Sequence, residues 1–282
     1  VGAPHFLYTL AALTYSMRYF ESVERRDLTS GIERLIAYNS SNVPECFLTT
    51  ACKRNGIQTF SLQHGLYYDY LIPPPLAIIN YENVTADALL VWSEFCRKQI
   101  EAFFQRDGQP ADFAMPLAGY LKPVPPACAP VAPGARRQML CLLPRSGLES
   151  SIRLVQLLGG LHEHCDVLLR PHPALRRNKV FLEAVPATLD MDENPLLETT
   201  LAERDVCLAV GFNTTSLFDT LLVHVPCALY ETPQTTFDAP QLPHFVDTAQ
   251  LLEILEQARP RPDVAAQILG AGLFRYAEIV ND

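Results

Sequence analysis

A chain of 282 residues can form one large domain or two domains of about 120–150 residues each. Apolar residues make up 49% and charged residues 19%, which excludes a disordered chain, a collagen-like chain and a coiled coil. The net charge of −9 argues against a nucleic-acid-binding protein, because such proteins need a basic surface. An acidic chain can still bind an anionic ligand in a local pocket of arginine, histidine and helix N-termini.

The eight cysteines form no CxxC pair and most lie in apolar runs, as is typical of reduced, buried thiols. The apolar segment 6–15 is too short to cross a bilayer, and no basic residue precedes it as in a signal peptide. These features predict a cytoplasmic protein, with peripheral association at the inner face of the membrane left open. The chain begins at Val1 without a methionine, so it is also open whether it is part of a longer chain.

In the first half, the sequence pattern predicts helices and strands in alternation. The predicted elements are a helix over 5–34, strands over 35–38, 57–62 and 88–92, and helices over 43–54 and 94–106, the last capped by Ser93. Three or four strands make this a short domain.

A proline-rich segment, KPVPPACAPVAPG over 122–134, follows the first half. Five of its thirteen residues are proline, which removes backbone donors and favours an extended linker. We therefore expect an N-terminal Rossmann-like domain over 1–121, a linker over 122–134, a C-terminal Rossmann-like domain over 135–260 and a C-terminal helix over 261–282.

The second half repeats the alternation more regularly. It predicts strands over 138–143, 166–170, 187–191, 205–210 and 227–230, and helices over 151–162, 174–184, 195–203, 217–223, 248–257 and 263–280. Strands that alternate with helices indicate β-α-β units on a parallel sheet. The expected fold class is α/β, with two Rossmann-like parallel-sheet domains facing across a cleft. Ligands in such sheets bind outside the carboxyl ends of the strands.

Three loops at predicted strand ends of the second domain carry polar side chains suited to a phosphate. The first contains Asn213, Thr214, Thr215 and Ser216 after a glycine, where three consecutive hydroxyls favour phosphate binding over simple helix capping. The second contains Arg170 and His172, each followed by a proline that stiffens the turn, so both side chains project in fixed directions. The third contains Arg145, which suits a diphosphate or an acceptor. Glu231, at a further strand end, could accept hydrogen bonds from a ribose diol.

In the first domain, the predicted strand over 57–62 leads into Gln63-His64-Gly65. Gly65 allows the turn, so His64 is either a catalytic or acceptor-binding residue in the cleft or a satisfied core histidine. We expect His64 to be the general base, with Glu45 as the alternative. The candidate acceptor-binding residues are Asn39, Ser40, Gln63 and Tyr67.

Several common motifs are absent from the sequence. There is no GxGxxG, no GxxxxGK[ST] and no GxSxG, which argues against dinucleotide-binding, P-loop and hydrolase functions. Asp190-Met191-Asp192 matches a DxD pattern only formally, and we expect no metal and no cofactor.

In combination, these motifs resemble the GT-B glycosyltransferases of bacterial surface-polysaccharide synthesis, which include capsule, sialyl, Kdo and CDP-glycerol transferases. The resemblance depends on Gln63-His64-Gly65, Arg170-Pro171-His172-Pro173 and Asn213-Thr214-Thr215-Ser216 with Phe218-Asp219, in this order. It implies that His172 contacts the nucleotide, that the hydroxyl loop holds the donor phosphate, and that His64 faces the reaction centre. Thr215-Ser216 stands where the CDP-glycerol enzymes usually have two serines.

The resemblance implies metal-independent transfer of a sugar or polyol phosphate from a nucleotide-activated donor, such as a CMP-sugar. The acceptor would be a saccharide or a lipid-linked molecule in capsule or lipopolysaccharide synthesis. Two alternatives stay open. One is a sugar-nucleotide epimerase, which shares the GT-B architecture. The other is a noncatalytic GT-B-like subunit of a larger synthase.

Overall fold

The computed structural model of the chain describes residues 3–26, 28–67, 69–70, 81, 83–108, 110–121, 137–232, 235–236, 239 and 241–282. These residues belong to two compact units. The first unit comprises those within 1–67, 79–121 and 272–282, and the second comprises those within 68–78 and 122–271. The proline-rich segment over 122–134 lies outside the described residues.

Strands and helices alternate over much of the chain. The strands are β1 (Arg34–Ala37), β2 (Gln58–Leu62), β3 (Asp69–Tyr70), β4 (Ala88–Leu90), β5 (Gln138–Leu143), β6 (Asp166–Pro171), β7 (Asp190–Met191), β8 (Val206–Gly211), β9 (Cys227–Tyr230), β10 (Thr235–Thr236) and β11 (His244–Phe245). The helices are α1 (Ala3–Arg25), α2 (Val43–Arg54), α3 (Glu94–Asp107), α4 (Leu148–Gly159), α5 (Lys179–Ala184), α6 (Leu197–Glu203), α7 (Ser216–Asp219), α8 (Thr248–Gln257), α9 (Pro262–Leu269) and α10 (Tyr276–Asn281).

The predicted α/β fold class with two parallel sheets is confirmed. In the first unit, the sheet has the order β1-β2-β4 and all its pairs are parallel. In the second unit, the sheet has the order β11-β9-β8-β5-β6-β7, again with parallel pairs only. A separate antiparallel pair joins β3 to β10.

The second sheet is wound in two directions from its central strand. The chain passes from β5 outward through β6 to β7, and then returns to the other side of β5 through β8, β9 and β11. Residues of β5 after Gln138 are fully buried, because helices cover both faces of a parallel sheet. The order of strands therefore reverses between β5 and β8, the place where open α/β sheets form a ligand crevice.

The first unit includes the C-terminal end of the chain. The hydroxyl of Tyr276 in α10 donates to the carbonyl oxygen of Gly119 at 2.7 Å, and the amide of Arg275 donates to that of Ala118 at 2.9 Å. Tyr276 also packs with Phe60 and Leu90, which lie on one face of the sheet. Residues after 272 thus complete the core of a unit that starts more than two hundred residues earlier.

Several predicted elements differ from the structure. The helix predicted over 5–34 ends at Arg25, and Gly31 at φ 76° lies in the turn before β1. The helix predicted over 263–280 is divided into α9 and α10, because Gly270 and Gly272 have φ of 67° and 87°. The helix predicted over 174–184 is a 3₁₀ turn followed by α5, because Asn178 caps a new helix by accepting from the amide of Phe181.

The helix predicted over 217–223 is also irregular. It is a single α-helical turn, α7, that continues as a 3₁₀ turn over Thr220–Val223. The segment between the strand predicted over 227–230 and the helix predicted over 248–257 contains two further strands, β10 and β11. Every cysteine within the described residues is free. In the same residues, we find no helix of the length and hydropathy needed to cross a membrane.

The contact between Gly119 and the C-terminal segment provides a test of the first unit. A Cβ atom at Gly119, which has φ +92°, would lie 1.7 Å from the carbonyl oxygen of Leu273. Gly108 has a similar φ of +70°, but nothing lies within 4 Å of its Cβ position. We expect Gly108→Ala to lower the free energy of unfolding by about 1–2 kcal/mol, the cost of the left-handed backbone, and Gly119→Ala by at least twice as much.

The measurement is urea denaturation followed by fluorescence of Trp92, the single tryptophan, whose ring lies 4.9 Å from that of Tyr120 in the first unit. Equal losses in the two variants would show that the C-terminal segment does not pack against Gly119.

Candidate functional site

The carboxyl edge of the second sheet is built around a close approach of two strands. Gly211 ends β8 beside Leu142 of β5, and a Cβ atom at Gly211 would lie 2.2 Å from the Leu142 carbonyl oxygen. Only glycine fits this contact. It allows the loop after β8 to leave the sheet directly beside the loop after β5, at the reversal of strand order.

A cavity of about 390 Å³ lies at this edge. Four residues of the predicted phosphate loops line it together: Arg170, which is engaged in an ion pair, and His172, Thr214 and Ser216. The remaining lining residues are Leu142, Leu143, Pro171, Pro173, Arg176, Asn194, Pro195 and Leu197. The cavity is therefore apolar at its base and polar where the loops after β6 and β8 converge.

The hydroxyl loop contributes two unengaged donors. Within the described part of the chain, the hydroxyls of Thr214 and Ser216 have no hydrogen-bond partner. Asn213 has φ 47°, so the loop turns sharply between β8 and α7. Since α7 has a single turn, its dipole is small, and an anion here would depend on the hydroxyls rather than on the helix. The carbonyl of Thr215 accepts from the amides of Phe218 and Asp219.

The backbone fixes the proton of His172. Its Nδ1 accepts a hydrogen bond from the amide of Ala174 at 3.1 Å, so in the neutral ring the proton is on Nε2. Burial, and secondarily the charge of Arg145, lowers the pKa of His172 below its ordinary value. At neutral pH this side chain is thus an uncharged donor. Arg145 is exposed, and its guanidinium has no partner among the described residues.

Arg170 also lines the cavity, but its guanidinium is engaged by groups of the protein. It forms an ion pair with Asp192 and donates to the carbonyl oxygens of Asn194 at 3.0 Å and Pro195 at 3.1 Å. The side chains of Arg170 and Asp192 are 15% and 2% exposed. The pair holds the loop after β7, which forms one wall of the cavity. The sequence signal for this role is Asp192 itself, two residues beyond Asp190 in the formal DxD pattern.

Asp192 is correspondingly engaged. Its Oδ1 accepts from the amide of Asn194 at 3.1 Å, and its Oδ2 accepts from the hydroxyl of Thr200 at 2.7 Å. No cluster of three side chains able to hold a metal ion occurs in the described residues.

Glu231 follows β9, one strand beyond β8, and its carboxylate lies 3.5 Å from Nδ1 of His244. Glu231 is exposed and does not line the cavity with His172.

In the first unit, His64 follows β2 and is half-buried between two aromatic rings. Its ring centre lies 4.9 Å from that of Tyr38 and 5.6 Å from that of Tyr81. Its Nδ1 lies 3.4 Å from the carbonyl oxygen of Leu62. Because a carbonyl can only accept, this contact favours the tautomer with the proton on Nδ1 and leaves Nε2 free to take up a proton.

Burial lowers the pKa of His64, while its hydrogen bond to Leu62 and the charge of Glu45 partly offset this effect. The imidazole is therefore neutral at physiological pH. Glu45 has its two carboxylate oxygens engaged by the amides of Tyr38 at 3.1 Å and Asn39 at 2.9 Å. The Glu45 oxygens are therefore less available to take up a proton than Nε2 of His64, and the charge of Glu45 acts on the imidazole.

The candidate acceptor residues are mostly engaged within the first unit. Ser40 and Gln63 are completely buried. The Ser40 hydroxyl accepts from the amide of Thr85, and the Gln63 side chain bonds to Gly65 and Trp92. The other two are Asn39, whose side chain accepts from the amide of Ser41, and Tyr67, which packs against Phe103.

Tyr38, which no sequence motif singles out, also lies beside His64 in the structure. Its side chain is 57% exposed although its ring contacts His64. Its signal was its place at the end of a predicted strand, directly before Asn39.

The ion pair of Arg170 generates a prediction that separates a structural from a ligand-binding role. We expect Arg170→Ala to lower the free energy of unfolding of the second unit by about 3–5 kcal/mol, because it leaves the Asp192 carboxylate buried without its partner. Arg177→Ala, at a neighbouring exposed position, should change it by about 0.5 kcal/mol or less. Urea denaturation followed by circular dichroism measures both. A stable Arg170→Ala variant would contradict the structural role.

Comparisons with known proteins give a fold but no family. No family model matches the chain, and no curated protein matches its sequence. Solved structures do match in fold. The UDP-GlcNAc 2-epimerase from Methanocaldococcus jannaschii is 12% identical with a TM-score of 0.58, over 94% of this chain and 81% of that one. The lipopolysaccharide outer core galactosyltransferase WaaB in its apo form is 10% identical with a TM-score of 0.57, over 94% and 78%.

A third match is MnaA from S. aureus, solved with UDP. It is 9% identical with a TM-score of 0.53, over 90% of this chain and 73% of that one. At sequence identities this low, the matches show similarity of fold only. Since the matches extend over both units, the chain has a GT-B-like architecture of two parallel-sheet units.

Proposed function

We propose that this protein is a glycosyltransferase that moves a sugar, or a polyol phosphate, from a nucleotide-activated donor to a saccharide or lipid-linked acceptor. The observation that carries the proposal is the convergence of His172, Thr214 and Ser216 on one cavity at the reversal of strand order. Three uncharged donors at the carboxyl edge of a parallel sheet suit a phosphate. The GT-B-like fold and the similarity to MnaA, which was solved with UDP, support a nucleotide ligand.

The second unit would bind the donor and stabilise its leaving group. As the bond between the anomeric carbon and the phosphate oxygen breaks, negative charge develops on the nucleotide phosphate. The Nε2–H of His172 and the hydroxyls of Thr214 and Ser216 would donate to that charge, and fixed donors of this kind need little reorganisation during the reaction. Arg145, whose charge already affects the pKa of His172, would add an attractive cation.

The first unit would supply the base. The free Nε2 of His64 would take the proton of the acceptor hydroxyl as its oxygen forms the new bond to the anomeric carbon. The resulting imidazolium would be stabilised by the Leu62 carbonyl at Nδ1 and by the charge of Glu45. We further propose a CMP-sugar as the first donor to test and bacterial surface polysaccharide as the product, on the resemblance of the three motifs.

Donor binding gives the first test. We expect calorimetry with CMP, CDP, UDP and GDP to detect binding of at least one nucleotide. His172→Ala should weaken its affinity by about 10- to 100-fold, since one hydrogen bond to a charged phosphate contributes about 1.5–3 kcal/mol. Thr214→Val combined with Ser216→Ala should weaken it at least as much.

Two matched variants serve as controls for these measurements. His162→Ala and Thr188→Val change an exposed histidine and an exposed threonine, both of which bond to the carbonyl of Gly159, and neither should alter the affinity. If none of the four nucleotides binds, or if the cavity variants bind as well as the controls, the donor site is wrong.

Turnover gives the second test. His64→Ala should lower kcat by about 10²–10⁴-fold while the Kd of the donor stays within a few-fold of its original value. The neutral imidazole is the active form, and burial lowers its pKa below the ordinary 6.5. The kcat should therefore stay constant above pH 6.5 and fall by about tenfold per pH unit only below the lowered pKa.

The assay is donor consumption with a panel of saccharide and lipid-linked acceptors, with His162→Ala as the control. Unchanged turnover in His64→Ala would leave Glu45 as the candidate base. Release of an epimerised sugar without any acceptor would instead indicate the epimerase alternative, and nucleotide binding without turnover would indicate a noncatalytic subunit.

A further inference from the structure

We propose that Tyr81 is a positioning residue that holds His64 in the orientation required of the base. This inference rests on the proposed function for its catalytic consequence, but not for its structural one. The supporting observation is a set of three hydrogen bonds between one buried hydroxyl and the backbone of the turn that carries His64.

The Tyr81 hydroxyl uses its full hydrogen-bonding capacity on this turn. It donates to the carbonyl oxygen of Gly65 at 2.8 Å and accepts from the amides of Gly65 at 3.0 Å and His64 at 3.1 Å. The side chain is 1% exposed. Burial raises the pKa of Tyr81 far above its ordinary value, so the phenol keeps its proton and remains a donor.

The same side chain also contacts the imidazole. The rings of Tyr81 and His64 meet edge to face, with their centres 5.6 Å apart and an angle of 70° between their planes. Tyr81 therefore fixes both the backbone at residue 64 and one side of the ring. On the other side lies Tyr38, which is largely exposed and so constrains the ring less.

The remaining restraints on the turn are weaker or indirect. Gln63 donates to the Gly65 carbonyl at 3.0 Å, but it does not bond to the amides of His64 and Gly65. The contact from Nδ1 of His64 to the Leu62 carbonyl is long, at 3.4 Å. Without the Tyr81 hydroxyl, two amides would lose their partner, and the ring could rotate away from Leu62. The tautomer that leaves Nε2 free would then no longer be favoured.

The test compares two conservative variants in the full chain. Tyr81→Phe removes the three hydrogen bonds and keeps the ring. Tyr276→Phe is the matched control, because its hydroxyl is also buried in the first unit and donates to a backbone carbonyl, that of Gly119. Nitrogen-15 NMR of the His64 ring reports which nitrogen carries the proton. Thermal melting verifies that both variants are folded.

We expect Tyr81→Phe to change His64 from the single Nδ1–H tautomer to a mixture and to lower kcat by about 10- to 100-fold, with an unchanged donor Kd. Tyr276→Phe should lower the melting temperature without changing the tautomer or kcat. An unchanged His64 tautomer in folded Tyr81→Phe would overturn the proposal.

Hydrogen exchange of the unmodified protein tests the proposal even if Tyr81→Phe does not fold. The amides of His64 and Gly65 should exchange slowly with solvent if the Tyr81 hydroxyl holds them, and rapid exchange would overturn the proposal. The NMR result also separates the two hypotheses. If no acceptor supports transfer, the proposed function fails, while the tautomer of His64 still decides the role of Tyr81.

Discussion

A parallel sheet buried on both faces restricts where polar chemistry can occur, and this restriction governs the second unit. All residues of β5 after Gln138 are apolar and buried, so neither face of this strand is open to solvent. Polar side chains can therefore emerge only at strand ends, and the parallel arrangement brings the carboxyl ends to one edge. Gly211 approaches Leu142 closely, which brings the ends of β8 and β5 together at the reversal of strand order. The loops after β6 and β8 consequently open into the same cavity.

In each unit, a backbone contact determines which ring nitrogen of the candidate histidine is favoured to carry the proton, and the outcome differs between His172 and His64. An amide donates to Nδ1 of His172, so its Nε2 carries a proton and can donate. A carbonyl faces Nδ1 of His64, so its Nε2 is free and can accept. Burial lowers the pKa of both rings, which keeps them neutral and preserves this difference at physiological pH. Two identical side chains thus differ in which ring nitrogen is favoured to carry the proton, through one backbone contact each.

The sequence predicted the features that depend on local pattern. The bounds of α2, β5, β9 and α8 agree with the prediction to the residue, since each follows from a continuous apolar run or a marked cap. It could not predict features that depend on long-range contacts. The strand β10 exists only because it pairs with β3, some 165 residues earlier, and the paired residues are Thr235 and Tyr70. Similarly, the sequence could not predict that Leu273, which follows the glycines between α9 and α10, packs against Gly119, some 154 residues earlier.

The candidate site also combines local and long-range features. The residue type indicates which hydrogen bonds a side chain can form, but not whether another part of the protein already forms them. Arg170 stands at a strand end as the motif requires, yet its guanidinium is used by Asp192 and two carbonyls of the neighbouring loop. Glu45, the alternative candidate base, accepts hydrogen bonds from two backbone amides at its carboxylate oxygens. The hydroxyls of Thr214 and Ser216 line the cavity and have no such partner among the described residues, so their hydrogen-bonding capacity is available for a ligand. Arg145 has no such partner there either, but it does not line the cavity. Polar groups that other residues engage form walls of the cavity, while the hydroxyls without a partner stay available for a ligand. The hydrogen-bond partners of a residue therefore indicate its role better than the motif alone.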